Sequence, residues 1–340
     1  MKRNLFVDLL AAALLSLASF IAGAQSKSLT LDEIHIRDPY ILPGEKEGVY
    51  YMYASSPVKR DGVSYGGVVA YKSRDLKTWE GPERVFEVPS DNSLTGTVWA
   101  PEVHKYKGKY YLFATMNSDI RWKGYREGHP PFNHRATQIF WSKNPDGPFV
   151  PFESGQPHTP QGQMCLDGTL WVENGVPYMI YCHEWVETMD GEMCLVQLKK
   201  DLSEPVGQPV RLFCASAADW STGSKGKGSS ERTYVTDGCF LYKTKTDKLL
   251  MIWSSFKNGS YAIGIAESVT GQVAGPWKQQ KETLFNSHGG HGMLFRDFDG
   301  RLCLVFHSPN SPSPKERAHI YEIEDLGHTL KLKTELPRTL

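Results

Sequence analysis

MCLDGTLWVENGVPYMIYCHEW, residues Met164–Trp185, is the stretch whose reading decides the fold. An acidic residue, Asp167, opens an apolar run through Leu170 and Trp171, and Asn174-Gly175 interrupts it. A second apolar run, Tyr178–Cys182, then ends in the polar pair His183-Glu184. Asn-Gly between two apolar runs is a strong short-range hairpin signal, because both turn positions need a positive φ. The same pattern recurs four more times. Asp38–Ile41 leads to Tyr50–Ala54, Ala100–Val103 to Tyr110–Phe113, Asp237–Tyr242 to Leu249–Trp253, and His291–Phe295 to Leu302–Phe306. The openers Asp38, Ala100, Asp167, Asp237 and His291 are 62, 67, 70 and 54 residues apart. Further strands follow each pair, as at Gly66–Tyr71, Gln138–Trp141, Met193–Leu198, Ala262–Ala266 and His319–Ile323. Five four-stranded antiparallel units in a row predict an all-β fold, a five-bladed β-propeller with a central funnel.

The rest of the chain fits that outline. Lys2-Arg3, an apolar run over Leu9–Ile21 and the small residues Ala22-Gly23-Ala24 read as a signal peptide over residues 1–24. Its apolar run is too short to span a bilayer. A secreted or periplasmic protein is expected, with residues 25–340 forming one domain and no membrane insertion. Lys+Arg and Asp+Glu both number 38, so no net field favours nucleic acid or an anionic membrane. Six cysteines in an oxidising compartment permit disulfides. Cys165 and Cys182 lie nearly opposite across the Asn174-Gly175 hairpin, although buried free thiols are the plainer expectation. No C-x-x-C or H-E-x-x-H pattern occurs, so no structural zinc is indicated. Two insertions break the repeat. Asn117–Ala136 falls inside the second blade, and the Gly/Ser/Lys-rich Ala215–Thr233 reads as a solvated linker between blades three and four. Residues 324–340 read as a closing strand and tail, and a monomer is expected.

In a propeller the first strand of each blade lines the channel, and the second runs back antiparallel. The openers and the second-strand ends, including His183-Glu184, therefore share one face. Asp and Glu form strands poorly and are costly to bury unpaired. Asp38, Asp167, Asp237 and Glu184 around one channel mouth thus read as a site rather than as turn caps. Converging carboxylates suit glycoside hydrolysis. One carboxyl must give a proton to the leaving oxygen, and one carboxylate must activate water or attack carbon. Crowding raises the pKa of one member and keeps it protonated near neutrality.

Arg37-Asp-Pro-Tyr40, Trp99-Ala-Pro-Glu-Val103 followed by Lys109-Tyr-Tyr-Leu112, Leu166–Trp171, Thr236-Asp-Gly238 and Gly290-His-Gly292 resemble glycoside hydrolase family 43. The likeness runs in order from residue 30 to about 325. It implies a five-bladed propeller that cleaves α-L-arabinofuranosides or β-xylosides with inversion. It also implies Asp38 as general base and Asp167 as the residue that tunes and orients the acid. At the acid the chain departs from the family, whose motif has Glu where Asp237 stands. Asp is one methylene shorter. Glu184 is therefore favoured as acid, with Asp237 a sugar ligand or second tuner; in the alternative Asp237 keeps the role. His291 matches a histidine that looks into the family's channel and helps hold calcium there, which for a lone imidazole implies water-mediated binding. No cofactor is required by the chemistry. Trp99 and Trp185 near the mouth, and Arg317, are the candidate substrate-binding residues, and Glu102 is a weaker one.

The favoured expectation is an exo-acting, inverting glycosidase that releases terminal arabinofuranosyl or xylosyl units from plant-type oligo- or polysaccharides. Two alternatives stay open. One is a non-catalytic carbohydrate-binding propeller, and the other is a retaining fructan hydrolase or transferase on a related scaffold.

Overall fold

The computed structural model describes residues 28–121, 124, 126–225 and 231–338. The export segment expected at residues 1–24 lies outside them. Five four-stranded antiparallel sheets follow one another along the chain. Blade 1 consists of Tyr40–Gly44, Val49–Ser55, Gly67–Ser73 and Glu80–Glu87. Blade 2 is Val98–Tyr106, Lys109–Arg121, Asn133–Ser142 and Val150–Pro151. Blade 3 is Cys165–Glu173, Val176–His183, Glu192–Leu198 and Pro205–Cys214. Blade 4 is Asp237–Lys243, Leu249–Lys257, Ser260–Ser268 and Trp277–Gln279. Blade 5 is Gly290–Arg296, Leu302–Ser308, Arg317–Asp325 and Leu330–Glu335. Every blade runs in simple meander order. Among the described residues no helix is long and apolar enough to cross a membrane.

The second strands explain why the sheets stack. Met52, Leu112, Ile180, Met251, Ile252 and Leu304 are fully or almost fully buried, so both sheet faces press on neighbouring blades. A strand covered on both faces reads as a continuous apolar run, which is how these strands stand out in the sequence. Fully burying such a side chain contributes roughly 1.5–3 kcal/mol. Asn174 and Gly175 adopt φ of 51° and 78°, and the expected two-residue turn joins the first two strands of blade 3.

The ring closes without a strand borrowed from the other end of the chain. Leu330–Glu335 is the closing strand expected near the end of the chain; it is the outermost strand of blade 5 and pairs within that blade. Closure comes instead from one apolar cluster in which Ile36, Ile41 and Met52 pack with Met293, Val305 and Ile320. An Asp32–Arg338 ion pair and an Ile36 N–H bond to the Glu316 carbonyl tie the two ends together.

The free thiols expected of the cysteines are observed, and one expectation changes. In blade 3 Cys165 pairs with His183 and Leu166 with Cys182. Cys165 and Cys182 are therefore one register step apart and face opposite sides of the sheet. Cys165 packs with Phe113 and Tyr181, Cys182 with Leu166 and Ile180, and all six cysteines are free. The stretch after blade 3 is not simply a solvated linker. Ala215, Ala218 and Trp220 are buried, with the Trp220 ring 4.7 Å from that of Trp253. Composition hid this, since a few apolar residues anchor a segment that is otherwise rich in Gly and Ser.

Candidate active site

At the mouth end of blades 2 to 5 the ladder between the first two strands skips two residues. These are Ala100-Pro101, Asp167-Gly168, Gly238-Cys239 and His291-Gly292. Bulges of this kind bend a strand and re-aim a side chain. The bulged residues carry positive φ: 40° at Ala100, 56° at Asp167, 27° at Gly238 and 55° at His291, with Asp38 at 49° in blade 1. A non-glycine residue held there costs on the order of 1 kcal/mol or more, and such strain clusters at functional sites. The repeat therefore has Gly238, not Asp237, at the blade 4 position equivalent to Asp38 and Asp167. Asp237 stands one residue earlier, paired with Ser254. That is a correction to the ring of openers read from the sequence. Glycine is required at 238, because a Cβ there would lie 2.5 Å from the His291 ring. Its amide also donates to Asp167 Oδ2 at 2.9 Å.

These residues gather around one cavity of about 430 Å³. Asp38, Asp167, Asp237, Glu184 and His291 all line it, together with Trp99, Arg37 and Tyr261. His291 Nδ1 sits between two carboxylates, 3.3 Å from Asp38 Oδ1 and 3.8 Å from Asp167 Oδ2. His307 Nδ1 is 3.2 Å from the same Asp38 oxygen. The Tyr261 hydroxyl donates to Asp237 Oδ2 at 2.9 Å. Asp167 is held from behind, its N–H donating to Thr115 Oγ1 at 2.8 Å.

The electrostatics divide the carboxyls. Burial alone would raise Asp38, but the imidazoles of His291 and His307 and the Arg37 guanidinium hold it well below the usual carboxylate range. Asp167 is pushed up to about 8 by burial and by the Asp38 charge, against the opposing Gly238 N–H bond. Asp237 is pushed up to about 7 by burial and by Asp167, against His291 and the Tyr261 hydroxyl. Asp38 is ionised at neutral pH, while Asp167 largely keeps its proton and Asp237 titrates around neutrality. Such a split is the signature of an acid/base assignment.

Glu184 behaves differently. Burial raises it above the usual carboxylate range, although Arg135 pulls it part of the way back through an ion pair to Oε2. The two side chains are 8% and 10% exposed. Protonating Glu184 would leave the Arg135 cation buried without its partner, at a cost of roughly 3 kcal/mol or more. Arg135 also covers the Trp99 ring at 4.1 Å, so one face of that indole is already occupied.

The other residues singled out in the sequence fall as follows. Trp99 lines the cavity and is 41% exposed. Trp185 begins the four-residue helix Trp185–Thr188 and does not line it. Arg317 donates to the backbone carbonyls of Asp32, Pro314 and Glu316, which turns it away from the cavity. Glu102 bonds His104 at 2.8 Å below the mouth. Arg37 supplies the cation at the rim instead, with its guanidinium held by Asn310 and Glu316. Sequence reasoning gave no role to Arg37, Arg135, Tyr261 or His307. Two of them carried a signal: Arg37 stands next to Asp38, and the repeat places His307 among the second-strand ends at the mouth.

Among the described residues no three His, Cys, Asp or Glu side chains form a group that could hold a metal ion. Calcium takes six to eight oxygen ligands. Here His291 Nδ1 faces Asp38 and Asp167, and Glu102 is committed to His104. The donor set does not fit a directly ligated calcium, and no step below runs through a metal.

A family model described as Glycosyl hydrolases family 43 matches residues 33–325. The solved endo-arabinase from Bacteroides thetaiotaomicron is 39% identical with a TM-score of 0.75, covering 88% of this chain and 98% of that one. A thermostable family-43 glycoside hydrolase of known structure is 25% identical with a TM-score of 0.72, covering 90% and 95%. The extracellular exo-alpha-(1->5)-L-arabinofuranosidase ArbA of Cellvibrio japonicus (strain Ueda107) is 25% identical over 116 residues. That match takes in 32% of this chain and only 28% of the curated relative's length.

Proposed function

The chain belongs to glycosyl hydrolases family 43, and from that premise we propose that it releases terminal α-L-arabinofuranosyl units from arabinan-type glycans, with inversion. The observation that carries the reading is an ionised Asp38 sharing one cavity with the proton-retaining pair Asp167 and Asp237. Asp38 is the general base that deprotonates the attacking water. Asp237 is the general acid that protonates the leaving oxygen. Burial, with the ionised Asp38 and any charge on Asp167 adding to it, keeps Asp237 protonated. Glu184, paired with Arg135, accepts hydrogen bonds from sugar hydroxyls rather than giving a proton. This departs from the sequence expectation for Glu184, and the Arg135 ion pair is the reason.

The arabinofuranosyl choice is supported by the names of the endo-arabinase and the exo-arabinofuranosidase relatives. The exo mode is supported by a cavity of about 430 Å³ at the end of a funnel, room for few sugar units. The extracellular relative supports export of this chain. Products from linear arabinan and from aryl α-L-arabinofuranosides and β-xylosides test the reading. Free arabinose as the sole early product from the polymer is expected. An early ladder of arabino-oligosaccharides would replace exo with endo cleavage, and turnover of the xyloside alone would replace the sugar. Sugar binding without turnover of any substrate would leave a non-catalytic lectin.

A further inference from the structure

The mouth face carries a second cavity, of about 370 Å³, farther from the axis between blades 2 and 3. Its floor is the start of the third strand of blade 2, at His134, Arg135 and Ala136. Its walls are Leu94 and Ile120 on one side and the segment from Gln156 to Gln163, just before blade 3, on the other. These stretches lie just before first strands, at a second-strand end and at a third-strand start, which in an antiparallel blade share one end, so the cavity opens on the same face as the carboxylates.

Arg135 is the partition between the two cavities. Its side chain lines the outer one, while its guanidinium pairs with Glu184 and covers Trp99, both of which line the inner one. The outer lining has a distinct chemistry. Gln156, Gln161 and Gln163 supply amides, Leu94, Ile120, Pro157 and Pro160 supply apolar surface, and no carboxylate or lysine is among them. Gln156 and Gln161 are exposed, and the Gln161 amide donates to Gln156 Oε1 at 3.0 Å. The only fixed charge, Arg135, is already neutralised by Glu184. A wall that alternates amides with apolar patches matches a neutral sugar, which presents hydroxyls at its edge and C–H groups on its faces. Among the described residues its lining holds no carboxylate or lysine for a charged ligand, and His134 is its one titratable side chain besides Arg135.

We infer that this outer cavity binds a neutral sugar residue of the glycan beyond the scissile bond, and so sets the preference for oligosaccharides over short synthetic glycosides. The inference rests on the inner cavity being the place of bond cleavage. An exo-acting inner cavity encloses the sugar that is released, so the remaining chain has to leave across this face. Arg135 and Trp99 form the ridge that it crosses.

The double variant Gln161→Ala/Gln163→Ala tests this. Neither side chain lines the carboxylate cavity, and a thermal melt checks that the fold is intact. On an α-1,5-linked arabinotriose, kcat/KM is expected to fall by about tenfold, as for the loss of one or two hydrogen bonds. On an aryl α-L-arabinofuranoside, whose leaving group is too short to reach, the change is expected to stay within twofold. Equal changes on the two substrates, or none on either, would overturn the inference. If the wild-type protein hydrolyses neither substrate, the cleavage reading fails on its own. Calorimetric titration of arabinotriose into wild-type and double-variant protein then tests the cavity alone. Unchanged affinity would overturn it, and weakened affinity would support it.

Discussion

Replacing Asp38 by asparagine is expected to lower kcat/KM on an aryl α-L-arabinofuranoside by about 10³-fold, within the range that a positioned base contributes. The amide keeps the size of the side chain but cannot take a proton from water. The loss should be nearly independent of the leaving group, because activating the water does not depend on which alcohol departs. The charge pattern makes Asp38 the right target. Of the three aspartates in the cavity it is the one held below the usual range, by His291, His307 and Arg37. The same substitution removes the charge that helps to raise Asp167, so the Asp167 carboxyl should titrate lower in the variant. Kinetics with a matched thermal melt measures the effect. A loss below tenfold in a folded variant would remove Asp38 from the role of base.

The second large effect separates Asp237 from Glu184. An acid is needed most when the departing alcohol is a poor leaving group. Asp237→Asn should therefore cost about 10²- to 10³-fold on an alkyl arabinofuranoside or arabinobiose, and less than about tenfold on a dinitrophenyl glycoside. Glu184→Gln should weaken both classes by a similar factor, since a lost contact to the sugar does not distinguish leaving groups. The pH profile gives an independent readout. Asp237 and Asp167 are raised, so the acid is present below their range and is lost as pH climbs through about 7 to 8. Asp38 is lowered, so the base survives well into acid. Wild-type kcat/KM should hold steady through weakly acidic pH and fall on the alkaline side. With Asp237→Asn the alkaline fall should flatten. If Glu184→Gln carries the leaving-group dependence instead, the proton donor is Glu184 and the Arg135 pair must open during turnover.

Much of this was legible because the propeller writes its symmetry into the chain. Each apolar second strand is buried on both faces, and most hairpin turns carry Gly, Asn or Asp where a positive φ is needed, with Lys107 an exception. The five units could therefore be counted and the mouth-facing residues aligned. What failed was resolution within a blade. In blade 4 the bulge falls on Gly238, one residue past Asp237, and nothing in Thr236-Asp-Gly-Cys239 reports which of the two is skipped by the ladder. The same resolution decides between the two readings of Cys165 and Cys182, since one register step reverses the face and leaves them the free thiols expected. Partners from distant segments left no local trace. Arg135 meets Glu184 across 49 positions, and Tyr261 meets Asp237 across 24. Arg317 lost its expected role to three nearby carbonyls, which motif position alone could not reveal.

The central claim is that Asp38 activates water on one side of the sugar while a carboxyl opposite protonates the leaving oxygen. Proton NMR of the first turnovers of wild-type protein on an aryl α-L-arabinofuranoside tests it most directly. The account predicts β-arabinofuranose as the initial product, decaying to the equilibrium mixture. Initial appearance of the α-anomer would mean that a carboxylate attacks carbon itself, and would contradict the account.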